Sequence, residues 1–180
     1  MLVQEIKYSS EQYLAGETLT VAQVTTAVNE FMNAICGMGF GYIDDVIASK
    51  CYKKDTWYDL PATCISISEV NIDKCGNPIT LNYRLDGNRI LFGDTDKYII
   101  HYRRLPAEVS ALSGTTGTIE LHQAYKTAIV KYVIAWYRLS DEEGDSQEGI
   151  NKQQEALTLA QSVNKQLSKG RLKEIVVNRR

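Results

Sequence analysis

The sequence has few of the residues on which most catalytic and metal-binding chemistry depends. Its 180 residues include only two histidines, and its four cysteines never form a C-x-x-C pair. Zinc knuckles and thioredoxin-like sites require such pairs, and Ser-His, Cys-His or poly-His sites require more imidazole than this chain supplies. We therefore expect no enzyme, with no catalytic residue, bound metal or cofactor. The cysteines are Cys36, Cys51, Cys64 and Cys75.

Long hydrophobic runs are also missing. No stretch of about 18 apolar residues occurs, so the sequence predicts no membrane-spanning helix. Residues 1–8 lack the basic segment followed by an apolar one that marks a signal peptide. We expect synthesis in a reducing cytosol, where the cysteines remain thiols and pack as small side chains.

Charge of neither sign dominates the chain. Twenty basic and 22 acidic residues give a formal net charge of -2, which argues against a protein that coats DNA. The charges are nevertheless uneven, because residues 141–148 hold five acids and no base, whereas residues 165–180 hold six bases and one acid. A solvated loop and a solvated tail are the plain interpretation, and two oppositely charged surfaces are the alternative.

Three segments have the apolar spacing of α-helices. The first covers residues 20–36, where Thr20 and Gln23 predict a capping box and the glycines at 37, 39 and 41 predict the stop. The second covers residues 119–140 and is rich in aromatic residues. The third covers residues 146–169, capped by Asp145 and ended by Gly170. Residues 9–14 are compatible with no more than a helical turn before Gly16.

Residues 42–106 have the alternating, β-branched and aromatic pattern of strands. Two clear runs are residues 64–68 and 98–102. Residues 83–91 place Asp86-Gly87 between two such runs, which predicts a hairpin, and a second turn is predicted at residues 75–78. The region is predicted to form a small antiparallel β unit of about four to six strands.

These elements predict an α+β fold in which a helical bundle holds an inserted β unit. The bundle would comprise residues 18–38 and 118–170, with the β subdomain at 42–106. A basic C-terminal extension, 171–180, would follow. The short acidic connection between the last two helices would make them antiparallel neighbours.

The remaining motifs favour structure over chemistry. The glycines at 37, 39 and 41 follow a helix, whereas phosphate-binding loops precede one, so a helix stop is favoured over an anion site. His101 and His122 have no nucleophile beside them in sequence. Four aspartates could suggest a divalent cation, but the spacing of a calcium loop is absent and a surface turn is the commoner explanation. They are Asp44, Asp45, Asp55 and Asp59.

The order of local sequences resembles the head-tail adaptor family of tailed phages, the type called tail tubular protein A in short-tailed viruses. The similarity covers about residues 18–168. It depends on five segments taken in order: residues 27–35 before a glycine stretch, 59–61 before a strand, 98–102 before a proline, and the helical runs 121–139 and 156–160.

The resemblance implies a virion structural protein without enzymatic activity. Such adaptors form a homo-oligomeric ring, usually of twelve copies, between the portal and the tail nozzle at the head-tail junction. The genome passes through the ring's channel without specific binding, and no membrane is involved. The chain would be made in the host cytoplasm before it joins the virion.

The basic C-terminal segment is the candidate partner-binding site. Its β-branched core at residues 175–177 could add a strand to an exposed sheet edge of the portal or of a neighbouring subunit. A solvated terminus is the plain alternative. The other function considered is a small nucleic-acid-binding module that uses the same tail. The candidate residues are Arg171, Lys173, Ile175, Val177, Arg179 and Arg180.

Overall fold

The chain divides into two compact units in the computed structural model, which describes residues 1–14, 16–72, 82–140 and 146–177. Unit 1 comprises Met1–Gly41 and Pro106–Arg180, and unit 2 comprises Tyr42–Leu105. Over the described residues the fold is α+β, with four α-helices and two three-stranded antiparallel sheets. The predicted helical bundle with a small inserted β unit is therefore wrong.

Unit 1 is built around one central helix. Its helices are α1 (Val3–Glu11), α2 (Val21–Gly37), α3 (Lys126–Ser140) and α4 (Ser146–Val177). Helix α3 packs against each of the other three, and its buried Tyr132 meets Phe31 of α2 edge to face at 5.5 Å between ring centroids. In the parts of both units that the structure describes, no helix combines the length and the apolar content needed to cross a membrane.

Helix α2 forms where the sequence predicts it. The Thr20 Oγ1 accepts a hydrogen bond from the Gln23 amide at 3.2 Å, and the Gln23 Oε1 accepts one from the Thr20 amide at 2.8 Å, which confirms the capping box. The helix ends at Gly37, and the backbone then turns through Gly39 and Gly41, both at positive φ. The helix-stop interpretation of these glycines is confirmed.

The other helix boundaries require corrections. Helix α1 was missed, and its start is fixed by pairing between distant segments, since the Val3 amide donates to the Gly117 carbonyl at 2.9 Å. Helix α3 begins later than residue 119, because a 3₁₀ turn, Gln123–Tyr125, precedes it. Helix α4 continues through Gly170 to Val177, because one glycine weakens a helix by about 1 kcal/mol without ending it. The predicted cap Asp145 and the acidic residues 141–145 lie outside the described residues.

The described part of unit 2, residues 42–72 and 82–105, consists of six strands in two sheets. They are β1 (Ile43–Tyr52), β2 (Trp57–Asp59), β3 (Cys64–Ile72), β4 (Tyr83–Asp86), β5 (Arg89–Phe92) and β6 (Asp96–Arg104). One sheet has the order β1-β6-β3 and the other β2-β5-β4, and every pairing is antiparallel. The predicted runs at 64–68 and 98–102 lie in β3 and β6, and the predicted hairpin is β4–β5. The turn predicted at 75–78 lies outside the described residues.

The two sheets bury a hydrophobic core that belongs to unit 2 alone. Phe92 of β5 stacks on Tyr98 of β6 at 4.0 Å between ring centroids, and both side chains are buried. Both sheets therefore contribute side chains to one core, and the β region has a core of its own and is not a minor insertion in a bundle. The buried members of this core are Tyr52, Leu60, Val70, Ile90, Phe92, Tyr98 and Ile100.

Candidate interaction surfaces

The predicted partner-binding residues fall partly on a helix. Arg171, Lys173, Ile175 and Val177 lie on the last two turns of α4, whereas Arg179 and Arg180 lie outside the described residues. The helical backbone differs from the extended segment that was expected to add a strand to a sheet edge. Docking of this segment would therefore use a helix end with basic sequence.

The two histidines occupy ordinary structural positions in their separate units. His122 in unit 1 caps the 3₁₀ turn before α3, because its Nδ1 accepts a hydrogen bond from the Ala124 amide at 3.1 Å. His101 in unit 2 is half-buried in β6, in register with Val46 and Glu69 on the strands beside it. His122 therefore serves as a helix cap, and His101 is a residue of a β-sheet.

Two of the four aspartates that suggested a cation site pair with arginines. Arg104 Nε donates to Asp45 Oδ2 at 2.9 Å, and Arg103 Nε lies 3.5 Å from Asp44 Oδ1. A hydrogen bond from the Val46 amide, followed by the one from Arg104, holds the pKa of the Asp45 carboxyl below its ordinary value. Within the described ranges, no three His, Cys, Asp or Glu side chains are grouped so that they could hold a metal ion.

The aspartates further along the chain shape the turn after β1 and the strand that follows it. Asp55 adopts a positive φ of 55°, and its amide donates to the Phe92 carbonyl at 3.0 Å. Asp59 ends β2 in register with Arg89 of β5. The Arg89 guanidinium also lies 5.3 Å from the ring centroid of Trp57, within the range of a cation–π contact.

None of the three cysteines that the structure describes takes part in a disulfide, and they differ in exposure. Cys36 is buried and Cys64 is half-buried, and desolvation raises the pKa of both thiols. Cys51 on β1 is exposed, which differs from the expectation that the cysteines pack. Cys75 lies outside the described residues.

A shallow basic groove on unit 1 was missed from the sequence. It has a volume of about 250 Å³ and runs between α3, α4 and the turn after α1. Lys131, Ile134 and Arg138 line one wall of the groove and recur at helical spacing along α3. The two basic residues on this side of the helix could therefore have been recognised from the sequence. Arg138 and Lys152 both lie beside the Glu148 carboxylate. The remaining lining residues are Tyr13 and Glu155.

An apolar sheet edge on unit 2 was missed as well. Strand β4 is exposed at all four positions, and it includes Tyr83 and Leu85. Leu85 keeps 51% of its surface exposed although it lies opposite the fully buried Ile90 in register. An apolar edge strand of this kind is a ready contact surface for another chain.

No protein-family model matches the chain, and no curated protein matches its sequence.

Proposed function

We propose that the chain is a virion structural protein, a head-tail adaptor that forms a homo-oligomeric ring between portal and tail and lines the DNA exit channel. The resemblance supplies this assignment, and each of its five segments falls on an ordered part of the structure. Residues 27–35 lie in α2, 98–102 in β6 and 156–160 in α4. Residues 121–139 reach from the turn before α3 through most of that helix, and 59–61 link β2 to β3.

The observation that carries the proposal is the exposure of large apolar side chains on the strands of unit 2. Single exposed apolar residues are common on monomeric proteins. Here they occur on several strands of one 64-residue unit, and two of them are adjacent positions on one face of an edge strand. Such surfaces suit contacts between subunits. The residues are Val46, Trp57, Ile65, Tyr83 and Leu85.

The proposal is tested by mixing the pure chain with its portal protein. Native mass spectrometry and negative-stain microscopy should show a ring of chains on the portal, and the resemblance implies about twelve copies. The chain alone serves as the control, and a monomer there is compatible with assembly that begins at the portal. A chain that never joins the portal contradicts the proposal. Binding of short DNA that falls steeply with salt would favour the nucleic-acid-binding alternative.

The C-terminal segment supplies a second expected result. Deleting residues 171–180 should lower attachment to the portal at least tenfold, because the deletion removes four basic residues and the final turns of α4. Pull-down of the portal across a salt series measures the effect.

The matched control keeps the length of the chain and replaces Arg171, Lys173, Arg179 and Arg180 with glutamine. If charge drives docking, this variant should behave like the deletion and should lose its salt dependence. Unchanged attachment of the deleted chain would show that the segment is a solvated terminus.

A further inference from the structure

We infer that strand β4 pairs with β4 of a second copy of this chain in a two-fold antiparallel arrangement centred on Leu85. The inference goes beyond the proposed ring, because it concerns contacts of the unassembled chain. It depends on three features of the β4–β5 hairpin: the direction of its backbone groups, the apolar face of its edge strand and the order of its charges.

The backbone groups at the open edge belong to Tyr83 and Leu85. The Gly93 amide donates to the Asn82 carbonyl at 2.8 Å, which makes Asn82 and Gly93 a hydrogen-bonded pair of the hairpin. Bonded and non-bonded pairs alternate along antiparallel strands, so Arg84 and Asp86 also direct their backbone groups toward β5. Tyr83 and Leu85 therefore direct their N–H and C=O groups away from it. Of the described strands, only β5 pairs with β4.

The apolar face of the sheet continues onto this edge. Tyr83 and Leu85 lie opposite Phe92 and Ile90 in register, so all four side chains share the face that covers the core. The rings of Tyr83 and Phe92 lie 6.5 Å apart. Phe92 and Ile90 are fully buried, whereas Tyr83 is 37% and Leu85 is 51% exposed. A strand added at the edge would extend the core across Leu85.

The charges on the other face select a second copy as the occupant. With the axis at Leu85, the two Leu85 residues face each other and exchange two backbone hydrogen bonds. Arg84 then lies opposite Asp86 of the second copy, and Asp86 lies opposite Arg84 of the second copy. Neither of these pairs shares backbone hydrogen bonds. In pairs of this kind the side chains come closest, so the opposite charges attract.

The neighbouring registers are disfavoured by like charges. A shift of two residues in one direction places Arg84 opposite Arg84, and a shift in the other places Asp86 opposite Asp86. The first shift pairs Tyr83 with Leu85 in bonded positions, whereas the second places Leu85 opposite Gly87, whose positive φ of 56° belongs to the turn. Charge complementarity therefore favours the register with Leu85 at its centre.

The pairing closes at two copies. An isologous contact uses the same surface on both partners, so it generates a dimer and not a ring. Four residues on each strand bury far less than the roughly 1,200–2,000 Å² of a stable interface, so the dimer should dissociate on dilution. It would cover two exposed edges at once while the chain is free.

Sedimentation velocity of the full chain over a concentration series tests the inference. Arg84→Asp and Asp86→Arg should each raise the dimer dissociation constant at least tenfold, because two attractive pairs become repulsive by symmetry. The double variant R84D/D86R should return it to within about threefold of the wild type, because each pair across the interface again joins opposite charges. Asp59→Arg, an exposed change on β2 of the same sheet, should have no effect.

Cross-linking provides an independent readout of the register. Cα atoms in a hydrogen-bonded antiparallel pair lie about 5.5 Å apart, within the range that a disulfide spans. Leu85→Cys, in a background with Cys51→Ser and Cys75→Ser, should form a covalent dimer on mild oxidation, and Asp59→Cys in that background should not.

Circular dichroism confirms that each variant is folded, which matters most for Asp86→Arg because Asp86 also pairs with Arg89 at 2.7 Å. A wild-type chain that stays monomeric throughout overturns the inference. So does a folded Arg84→Asp variant with unchanged association, or a folded double variant that remains monomeric. Portal attachment is a separate measurement, so failure of the adaptor proposal would leave the result for β4 intact.

Discussion

Replacing Phe92 with alanine is expected to lower the free energy of unfolding of unit 2 by about 3–5 kcal/mol. The side chain is fully buried between the two sheets, where its ring stacks on Tyr98 and lies 4.9 Å from the ring of Tyr52. Truncation removes these contacts and leaves a cavity whose walls belong to strands in both sheets. Such walls collapse only partly, because backbone hydrogen bonds hold the strands in place.

The two tryptophans make this measurement specific to one unit. Trp57 lies in β2 of unit 2, and Trp136 lies in α3 of unit 1. In a Trp136→Phe background, urea unfolding followed by fluorescence reports on unit 2 through Trp57. Leu85→Ala is the matched control, because it truncates an exposed apolar residue on the same face of the sheet and should cost less than about 1 kcal/mol. Equal losses for the two variants would mean that the core does not depend on Phe92.

The sequence predicted those elements whose signals are local. The capping box at Thr20 and the glycines after α2 act within a few residues of the helix ends. The hairpin β4–β5 forms at Asp86-Gly87, where Gly87 has the positive φ of 56° that a tight turn needs. Strand β6 was visible because Tyr98, Ile100 and Tyr102 alternate with more exposed residues. Each of these predictions needed only the chemistry of one short segment.

The errors concern elements that distant parts of the chain determine. Helix α1 begins after Leu2, which offers no capping side chain in its sequence, and its start is fixed by pairing with residues 117–119. The two-sheet arrangement places β1 beside β6, more than 40 residues later in the chain. Alternation shows that a strand has a buried face, but not which strand lies next to it. The predicted architecture, a helical bundle with an inserted β unit, was therefore wrong although several of its strands were predicted.

The candidate interaction surfaces also depend on parts of the fold that local sequence does not determine. The C-terminal segment was chosen for its basic composition, and only the structure shows that residues 171–177 continue α4. The hairpin around Gly87 was predicted, but not that β5 lies between β2 and β4 and leaves β4 at an edge. Composition identified a charged segment, whereas the exposure of Leu85 depends on the order of strands in the finished sheet.

Replacing Gly41 with alanine is expected to destabilise unit 1 by about 2–4 kcal/mol. Gly41 has a φ of +81°, a left-handed conformation that costs other residues about 1–2 kcal/mol. A Cβ atom there would also overlap Cδ1 of Ile35 and lie 2.8 Å from its Cγ1. Ile35 is fully buried on α2, so its side chain has little room to move away.

Gly39 serves as a control that separates the cost of the left-handed backbone from the cost of the steric overlap at Gly41. It has a similar φ of +86°, but a Cβ atom there would meet nothing within 4 Å. Gly39→Ala should therefore cost only the conformational term, about 1–2 kcal/mol. Urea unfolding followed through Trp136 in a Trp57→Phe background measures both variants on unit 1. Equal losses at the two positions would remove the steric argument for Gly41.

A double-mutant cycle with Ile35→Val then identifies the clashing partner. Ile35→Val removes Cδ1 and should cost about 0.5–1.5 kcal/mol in the wild-type chain, because it leaves a small cavity in the core. In the Gly41→Ala background the same truncation makes room for the new methyl group, so it should cost less or should stabilise the unit. We expect a coupling energy of about 1 kcal/mol or more. Additive effects would mean that the strain at position 41 lies in the backbone and not in the contact with Ile35.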